Sequence, residues 1–271
     1  MTGDISNTQA IKDAPLIYRG FTGWPSYSPD GSSIVFTDDA DQWTCHLVLV
    51  SVDDTAAIHH LTDPKIGAKR PSFHPNGNLL AFNLDNASIW ILDLASGETT
   101  PYISDLVRGN KKLIHPCFAP DGQSIVVASY QRGGPQREEV LYRINPQAEV
   151  PIVQLTHYPQ VCAGRPAVSP DNQHVIFAGH ADGCIQVENQ LWRGGADGSS
   201  KVLEVGDKAL CHGRCPAYAP DGRWVAFVST RPLSGPSEAT AMSVWIVSMD
   251  GKASYKITDD SMRPTHMAWS P

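Results

Sequence analysis

The sequence lacks the features that mark most enzyme classes. It has no Gly-x-Ser-x-Gly elbow, no His-Glu-x-x-His pair and no phosphate loop. It has no apolar run of about 18 residues, so no membrane span is expected. The first ten residues, 1–10, lack the basic start and apolar stretch of a signal peptide. Positive charge is in short supply: 21 Lys and Arg against 28 Asp and Glu leave a formal net charge of −7. That balance argues against a dedicated nucleic-acid binder. The six cysteines, Cys45, Cys117, Cys162, Cys184, Cys211 and Cys215, are scattered and form no dense frame. They read as reduced, packed thiols, which points to a cytoplasmic protein, or to a periplasmic one if a signal peptide has been removed.

What the chain does contain is one sentence written repeatedly. Pro25-Ser-Tyr-Ser-Pro-Asp-Gly31 is followed by the apolar run Ile34-Val-Phe36. The pattern returns at Pro71, Pro116, Pro166 and Pro216, and a sixth copy begins at Pro264 and runs to Pro271. The leading prolines are separated by between 45 residues (Pro71 to Pro116) and 50 residues (Pro116 to Pro166). A period of about 40–50 residues carrying strand signals is the mark of propeller blades. Within the motif, proline presets φ, Asp or Asn bonds back to the backbone, and Gly supplies φ > 0. Asn172 replaces that Gly in the fourth copy and is the next-best residue for the conformation.

Each repeat therefore reads as four strands, innermost A to outermost D. A carries the leading proline and B is the apolar run after the turn. C is a β-branched and aromatic segment such as Ser88-Ile-Trp-Ile-Leu-Asp-Leu94, and D ends in Leu-Thr, as at Leu61-Thr62 and Leu155-Thr156. Proline at the start of A is tolerable because A is the inner edge of its sheet. Tyr27, Phe73, Phe118, Val168 and Tyr218, each two residues past a leading proline, are expected to pack between blades. So are Trp90, Trp192 and Trp245 on the C strands. The expected architecture is an all-β propeller of four-stranded antiparallel blades, with five complete repeats and a partial sixth. Residues 1–14 are expected to form a flexible segment and residues 15–271 the propeller, incomplete at its C-terminus. The chain is either part of a longer protein or closes as five blades with its ends laid across the seam.

The motif Pro-x-aromatic-Ser-Pro-Asp-Gly, the apolar strand ending in Phe, the Ile-Trp-Ile-x-Asp-Leu segment and the closing Leu-Thr resemble the TolB-type, WD40-like β-propeller repeats. The resemblance covers roughly residues 16–271. It implies the propeller fold and three uses of it. These are protein-binding scaffolds, lyases of the oligogalacturonate type, and propeller domains of prolyl-oligopeptidase-type peptidases. TolB itself implies a periplasmic setting and cell-envelope partners.

Strand alternation puts the D–A loops at the mouth of the central channel. The residues there, just before the leading prolines, are Trp24, Arg70, His115, Arg165, Arg214 next to Cys215, and Arg263. Converging guanidinium groups suit a carboxylate or phosphate. The bland alternative is that each arginine pairs with an acid of this chain, such as Asp38, Asp39 or Glu188 from the B–C loops. Those loops are long and unlike one another, which is where binding surfaces usually sit. Cys211-x-x-x-Cys215 with His212 and Cys162 has the wrong spacing for a structural zinc site, so no metal is assigned. His115, with His74 and His266, is what a lyase site would draw on. The chain is thus expected to be a non-catalytic scaffold for a protein partner or a small anionic ligand, with no cofactor. The alternative is an enzyme acting on an anionic sugar.

Overall fold

The computed structural model describes residues 22–39, 45–54, 56–85, 87–102, 111–131, 139–157, 161–181, 190–198, 203–204, 214–229, 242–258 and 264–271. Twenty strands form five four-stranded antiparallel sheets arranged in a ring. The first sheet is β1 (Thr22–Tyr27), β2 (Ser33–Asp39), β3 (Cys45–Ser51) and β4 (Ile58–His60). The second is β5 (Ala68–Phe73), β6 (Leu79–Leu84), β7 (Ser88–Asp93) and β8 (Thr99–Pro101). The third is β9 (Lys111–Phe118), β10 (Ile125–Gln131), β11 (Glu139–Ile144) and β12 (Ile152–Gln154). The fourth is β13 (Val161–Val168), β14 (His174–Ala181), β15 (Gln190–Gly195) and β16 (Leu203–Glu204). The fifth is β17 (Arg214–Tyr218), β18 (Trp224–Ser229), β19 (Ser243–Ser248) and β20 (Ser254–Lys256). These are the five complete repeats expected from the sequence. A single 3-10 turn at Pro64–Ile66, capped by Asp63, is the only described helical element, and the repeat pattern gave no sign of it.

The turns between the first two strands of each sheet follow the Pro-Asp-Gly logic. Asp121 Oδ1 accepts from the Gln123 amide at 2.8 Å, and Asp30, Asp171 and Asp221 do the same two residues ahead. Asn172 adopts the left-handed conformation, φ 61°, in place of glycine. The Leu-Thr ending also has a structural purpose. Thr62, Thr156 and Thr258 each accept from a third-strand amide at 2.9 Å, from Leu47, Leu141 and Val244 respectively. The third strand thereby stays satisfied where the short outer strand has ended.

The core lies between sheets. Val35 and Leu47 meet Phe73, Leu80 and Phe82 across the first junction. Ala81 and Ile89 meet Leu113, Ile125 and Val127 across the second. Val126 and Leu141 meet Val168 and Phe177 across the third, and Ile176 and Leu191 meet Val225 and Phe227 across the fourth. Of the aromatic positions after the leading prolines, Phe73 and Val168 are buried, while Phe118 and Tyr218 pack on the junction clusters half-buried. Trp90, Trp192 and Trp245 likewise pack on three of these clusters without being fully enclosed.

Residues 264–271 lie between the fifth and first sheets. Trp269 Nε1 donates to the Ala217 carbonyl at 2.9 Å, and a methyl built on Gly31 would lie 3.3 Å from Pro271. Pro29 stands in the same relation to Gly77, and Pro170 to Gly222. The sixth copy thus makes at the seam the contact that earlier copies make with the next sheet. Trp245→Ala is expected to destabilise the protein by about 3 kcal/mol, because it empties an aromatic volume at the fourth junction. Urea denaturation checks this, and an unchanged midpoint would exclude the assigned packing.

Candidate functional site

Each innermost strand carries one bulge, seen as a register shift between Gly23 and Ser26, Lys69 and Ser72, Ile114 and Cys117, Gly164 and Ala167, and Arg214 and Ala217. At each bulge the residue before proline is left-handed: Trp24 (φ 53°), Arg70 (57°), His115 (55°), Arg165 (53°) and Cys215 (50°). Such a backbone costs a non-glycine residue about 1–2 kcal/mol. A side chain or amide in a bulge also leaves the ladder. At two positions the preceding sheet takes up the freed amide. Arg70 N donates to Thr37 Oγ1 at 3.0 Å, and His115 N to Asn83 Oδ1 at 2.9 Å. Asn83 is itself buried and held by Nδ2 donating to the Leu113 carbonyl at 2.8 Å.

This geometry corrects the expectation that these residues stand on D–A loops. They lie inside the innermost strands, and the bulge turns them toward the axis. All five line one cavity of about 130 Å³, together with the leading prolines, His266 and Met267. Arg214, named from the sequence, is not in that lining. It precedes Cys215, and the residue before the proline is the one the bulge directs inward. Arg214 Nε is buried without a hydrogen-bond partner among the described residues. Arg263 lies outside the described residues, as do Cys211 and His212. His74 is also elsewhere: its Nε2 meets the Gly122 carbonyl at 2.9 Å on the turn side of the ring.

His266 occupies the sector that sequence reasoning gave to Arg263. Its ring packs 4.5 Å from that of Trp24, and the Arg70 guanidinium lies 4.8 Å over the Trp24 ring. Burial, then Arg165 and Arg70, push the His266 pKa down to about 4. Burial pushes the Cys215 thiol up, opposed by Arg165, Arg214 and Arg70. Both groups therefore report a cationic surrounding. No carboxylate lines the cavity among the described residues. Asp38, one of the expected counter-charges, is buried beside His46, its Oδ2 4.0 Å from His46 Nε2. The side chains of Asp39 and Glu188, and most of the B–C loops, lie outside the described residues. Among the described residues no three His, Cys, Asp or Glu side chains are grouped to hold a metal ion.

The repeated Pro-Asp-Gly blades have a family counterpart. A family model for the TolB beta propeller domain matches residues 24–271. The chain belongs to the TolB β-propeller family. A comparison with curated protein sequences found no match. Among solved structures, putative TolB from Agrobacterium tumefaciens superposes with a TM-score of 0.69 at 19% identity, over 90% of this chain and 83% of that one. TolB from Acinetobacter baumannii gives 0.66 at 19% identity, over 86% of this chain; the match spans about half, 53%, of its own length. An oligogalacturonate lyase in complex with manganese gives 0.60 at 15% identity, over 88% of this chain and 65% of the lyase. At these identities the likeness establishes the fold. No helix among the described residues is long and apolar enough to cross a membrane.

The lowered His266 pKa has a measurable consequence for this TolB-family propeller. An ordinary histidine takes up its proton near 6.5, and His266 in the folded protein near 4. Between these values the unfolded chain binds a proton that the folded chain refuses. Stability from this group is therefore expected to fall as pH drops from 6.5 toward 4. Denaturation midpoints across that window should decline more steeply for the native protein than for His266→Gln. Parallel curves would overturn the placement of His266 among the arginines.

Proposed function

We propose that the protein is a non-catalytic binding scaffold whose channel mouth receives an anionic group, either of a small ligand or of a protein partner. The observation that carries this reading is the convergence of Arg70, His115, Arg165 and His266 on one small cavity that no described carboxylate lines. Guanidinium groups held together in a partly buried site favour an anion, and a bidentate carboxylate or phosphate matches their geometry. Trp24, with the Arg70 guanidinium over its ring, supplies an apolar wall beside that charge. An anion seated there would favour protonated His266, so binding is expected to strengthen as pH falls from the bound-state pKa toward the free-state value of about 4.

The competing reading is an enzyme acting on an anionic sugar. It is favoured by the similarity to oligogalacturonate lyase and by the shared placement of His115 and His266. It assigns the same arginines to the substrate's carboxylates and differs by requiring turnover.

Calorimetric titration with citrate, inorganic phosphate and a galacturonate oligomer tests both. Binding is expected to weaken about tenfold or more in Arg165→Ala and in Arg70→Ala, and to weaken with added salt. Release of unsaturated sugar from the oligomer would favour the enzyme. Absence of saturable binding by any of these anions, or affinities that ignore both substitutions, would overturn the anion site.

A further inference from the structure

A second cavity, of about 480 Å³, opens between the first and second sheets on the side of the Pro-Asp-Gly turns. Its walls include Asp30, Ser33, Leu49, Phe73, Asn76 and Leu94. It shares no residue with the channel cavity. Its meaning comes from the equivalent place at the other junctions.

At the junction of the third and fourth sheets, that place is filled from within by Arg143. Its Nη2 donates to Asp121 Oδ2 and to Asn172 Oδ1, both at 2.9 Å. Its Nη1 donates to the Ala196 carbonyl at 3.1 Å, and its Nε to Ser124 Oγ at 2.9 Å. At the junction of the fourth and fifth sheets, Arg193 also reaches across, Nη1 donating to the Met249 carbonyl at 3.4 Å, without bonding the turn aspartate Asp171. Strand register identifies the equivalent residue in the first sheet. Arg143 pairs with Val126, Arg193 with Ile176, and Leu49 with Val35. Leucine thus stands where the third and fourth repeats carry arginine.

The receiving groups have not been lost with it. Asp30 corresponds to Asp121, and Ser33 to Ser124, by their places after Pro29 and Pro120. Leu94 corresponds to Ala196 and Met249, because each of the three amides donates to the residue just after the neighbouring turn, at 2.9 Å. Asp30 also divides its oxygens as Asp121 does. Oδ1 accepts from the Ser32 amide and from the Ser28 and Ser32 hydroxyls, while Oδ2 has no partner among the described residues. In Asp121, Oδ2 is the oxygen that takes Arg143. The Ser28 hydroxyl first, then the Ser32 amide and hydroxyl, hold the Asp30 pKa down to about 2, so it is ionised. Among the described residues it is the one charged residue in the cavity wall.

The second junction shows what happens when the arrangement is given up. Ile91 replaces the arginine and Asn76 the aspartate. The ring of His74 fills the space, edge-on to Phe118 at 4.9 Å. The fifth repeat keeps Asp221 without a cross-sheet arginine, and Asp221 Oδ2 is taken by its own neighbour Arg223 at 2.8 Å. Asp171 in the fourth repeat also has no basic side chain bonded to it among the described residues, but Arg193 crosses that junction to the Met249 carbonyl. Among the described residues, the first junction has neither an arginine on its carboxylate nor one crossing it, and a cavity opens there.

We propose that the cleft between the first and second sheets binds the arginine side chain of a peptide partner, its guanidinium taking the place that Arg143 occupies two sheets away. The Asp30 carboxylate, the Ser33 hydroxyl and the Leu94 carbonyl receive the guanidinium. Leu49, Phe73 and the flanking prolines Pro29 and Pro75 cover the aliphatic stem.

The test is calorimetric titration of the whole chain with N-acetyl-arginine N-methylamide, its citrulline and lysine counterparts, and free arginine. The capped arginine is expected to saturate the site and to bind about tenfold or more tightly than the isosteric, uncharged citrulline. Asp30→Asn, which keeps the Oδ1 bonds of the turn, should weaken binding by a similar factor. Ser33→Ala should weaken it several-fold, and Leu49→Arg should abolish it by seating an internal guanidinium. Near-ultraviolet circular dichroism checks that each variant is folded; should Leu49→Arg misfold, the other two carry the test. Equal affinity for the arginine and citrulline compounds, or native affinity in Asp30→Asn, would overturn the site. Tighter binding of free arginine than of the capped form would overturn the peptide assignment.

Discussion

The structure depends on a strained backbone repeated five times. The residue before each leading proline holds a left-handed conformation inside the innermost strand. That conformation is unfavourable for tryptophan, arginine, histidine and cysteine alike, and it removes an amide from the sheet. At two of the five positions the neighbouring blade answers it, through Thr37 for Arg70 and through Asn83 for His115. At those two positions the freed amide is satisfied across blades. A single repeat would lack the apolar face that buries its sheet, and the second and third would also lack the bond that holds the freed amide. Blade stacking therefore supports the channel lining at those two positions.

Much of this was legible in the sequence because the repeat carries its own ruler. A proline at fixed period, two residues before an aromatic and four before Pro-Asp-Gly, fixes where each chain segment sits radially. That is why Trp24, Arg70, His115 and Arg165 could be assigned to one rim. The bulge itself was not legible. At Arg70 and His115 its amide is held by a side-chain oxygen 32 to 33 residues earlier in the chain, and no local signal links Thr37 to Arg70 or Asn83 to His115. The same blindness explains Arg214. Charge drew attention to it, whereas backbone geometry selects the residue immediately before proline, which is Cys215. His266 was legible by the same ruler: it stands before Pro271 as Trp24 does before Pro29 and Arg70 before Pro75, but counting from Pro264 placed Arg263 there instead.

The charge distribution separates two questions that composition merges. The chain is acidic overall, and most described acids sit in turns, where amides and hydroxyls hold them ionised, as at Asp30, Asp93 and Asp250. The axis collects arginine and histidine instead. An acidic exterior around a cationic mouth focuses an anion on the mouth at short range while repelling it elsewhere. The fold leaves the chemistry at that mouth open. TolB-named and lyase-named structures share the same ring at under 20% identity.

The second strand-set shows how rigidly both ends of a blade are specified. Strand β5 delivers Arg70 to the channel and, three residues later, Phe73 to the cleft between the first two sheets. Both amides are held by the first sheet, Arg70 N by Thr37 Oγ1 at 3.0 Å and Phe73 N by Ser26 Oγ at 3.3 Å. The third sheet repeats the second bond, with Phe118 N donating to Ser72 Oγ at 3.0 Å. The backbone carrying each wall is therefore ordered by folding itself. A ligand arriving at either place meets groups whose conformational entropy is already spent, so its affinity reflects contact chemistry more than reorganisation. In such a scaffold, exchanging one side chain among otherwise equivalent repeats suffices to open a site. Leu49, set where the third and fourth sheets carry Arg143 and Arg193, is that kind of exchange.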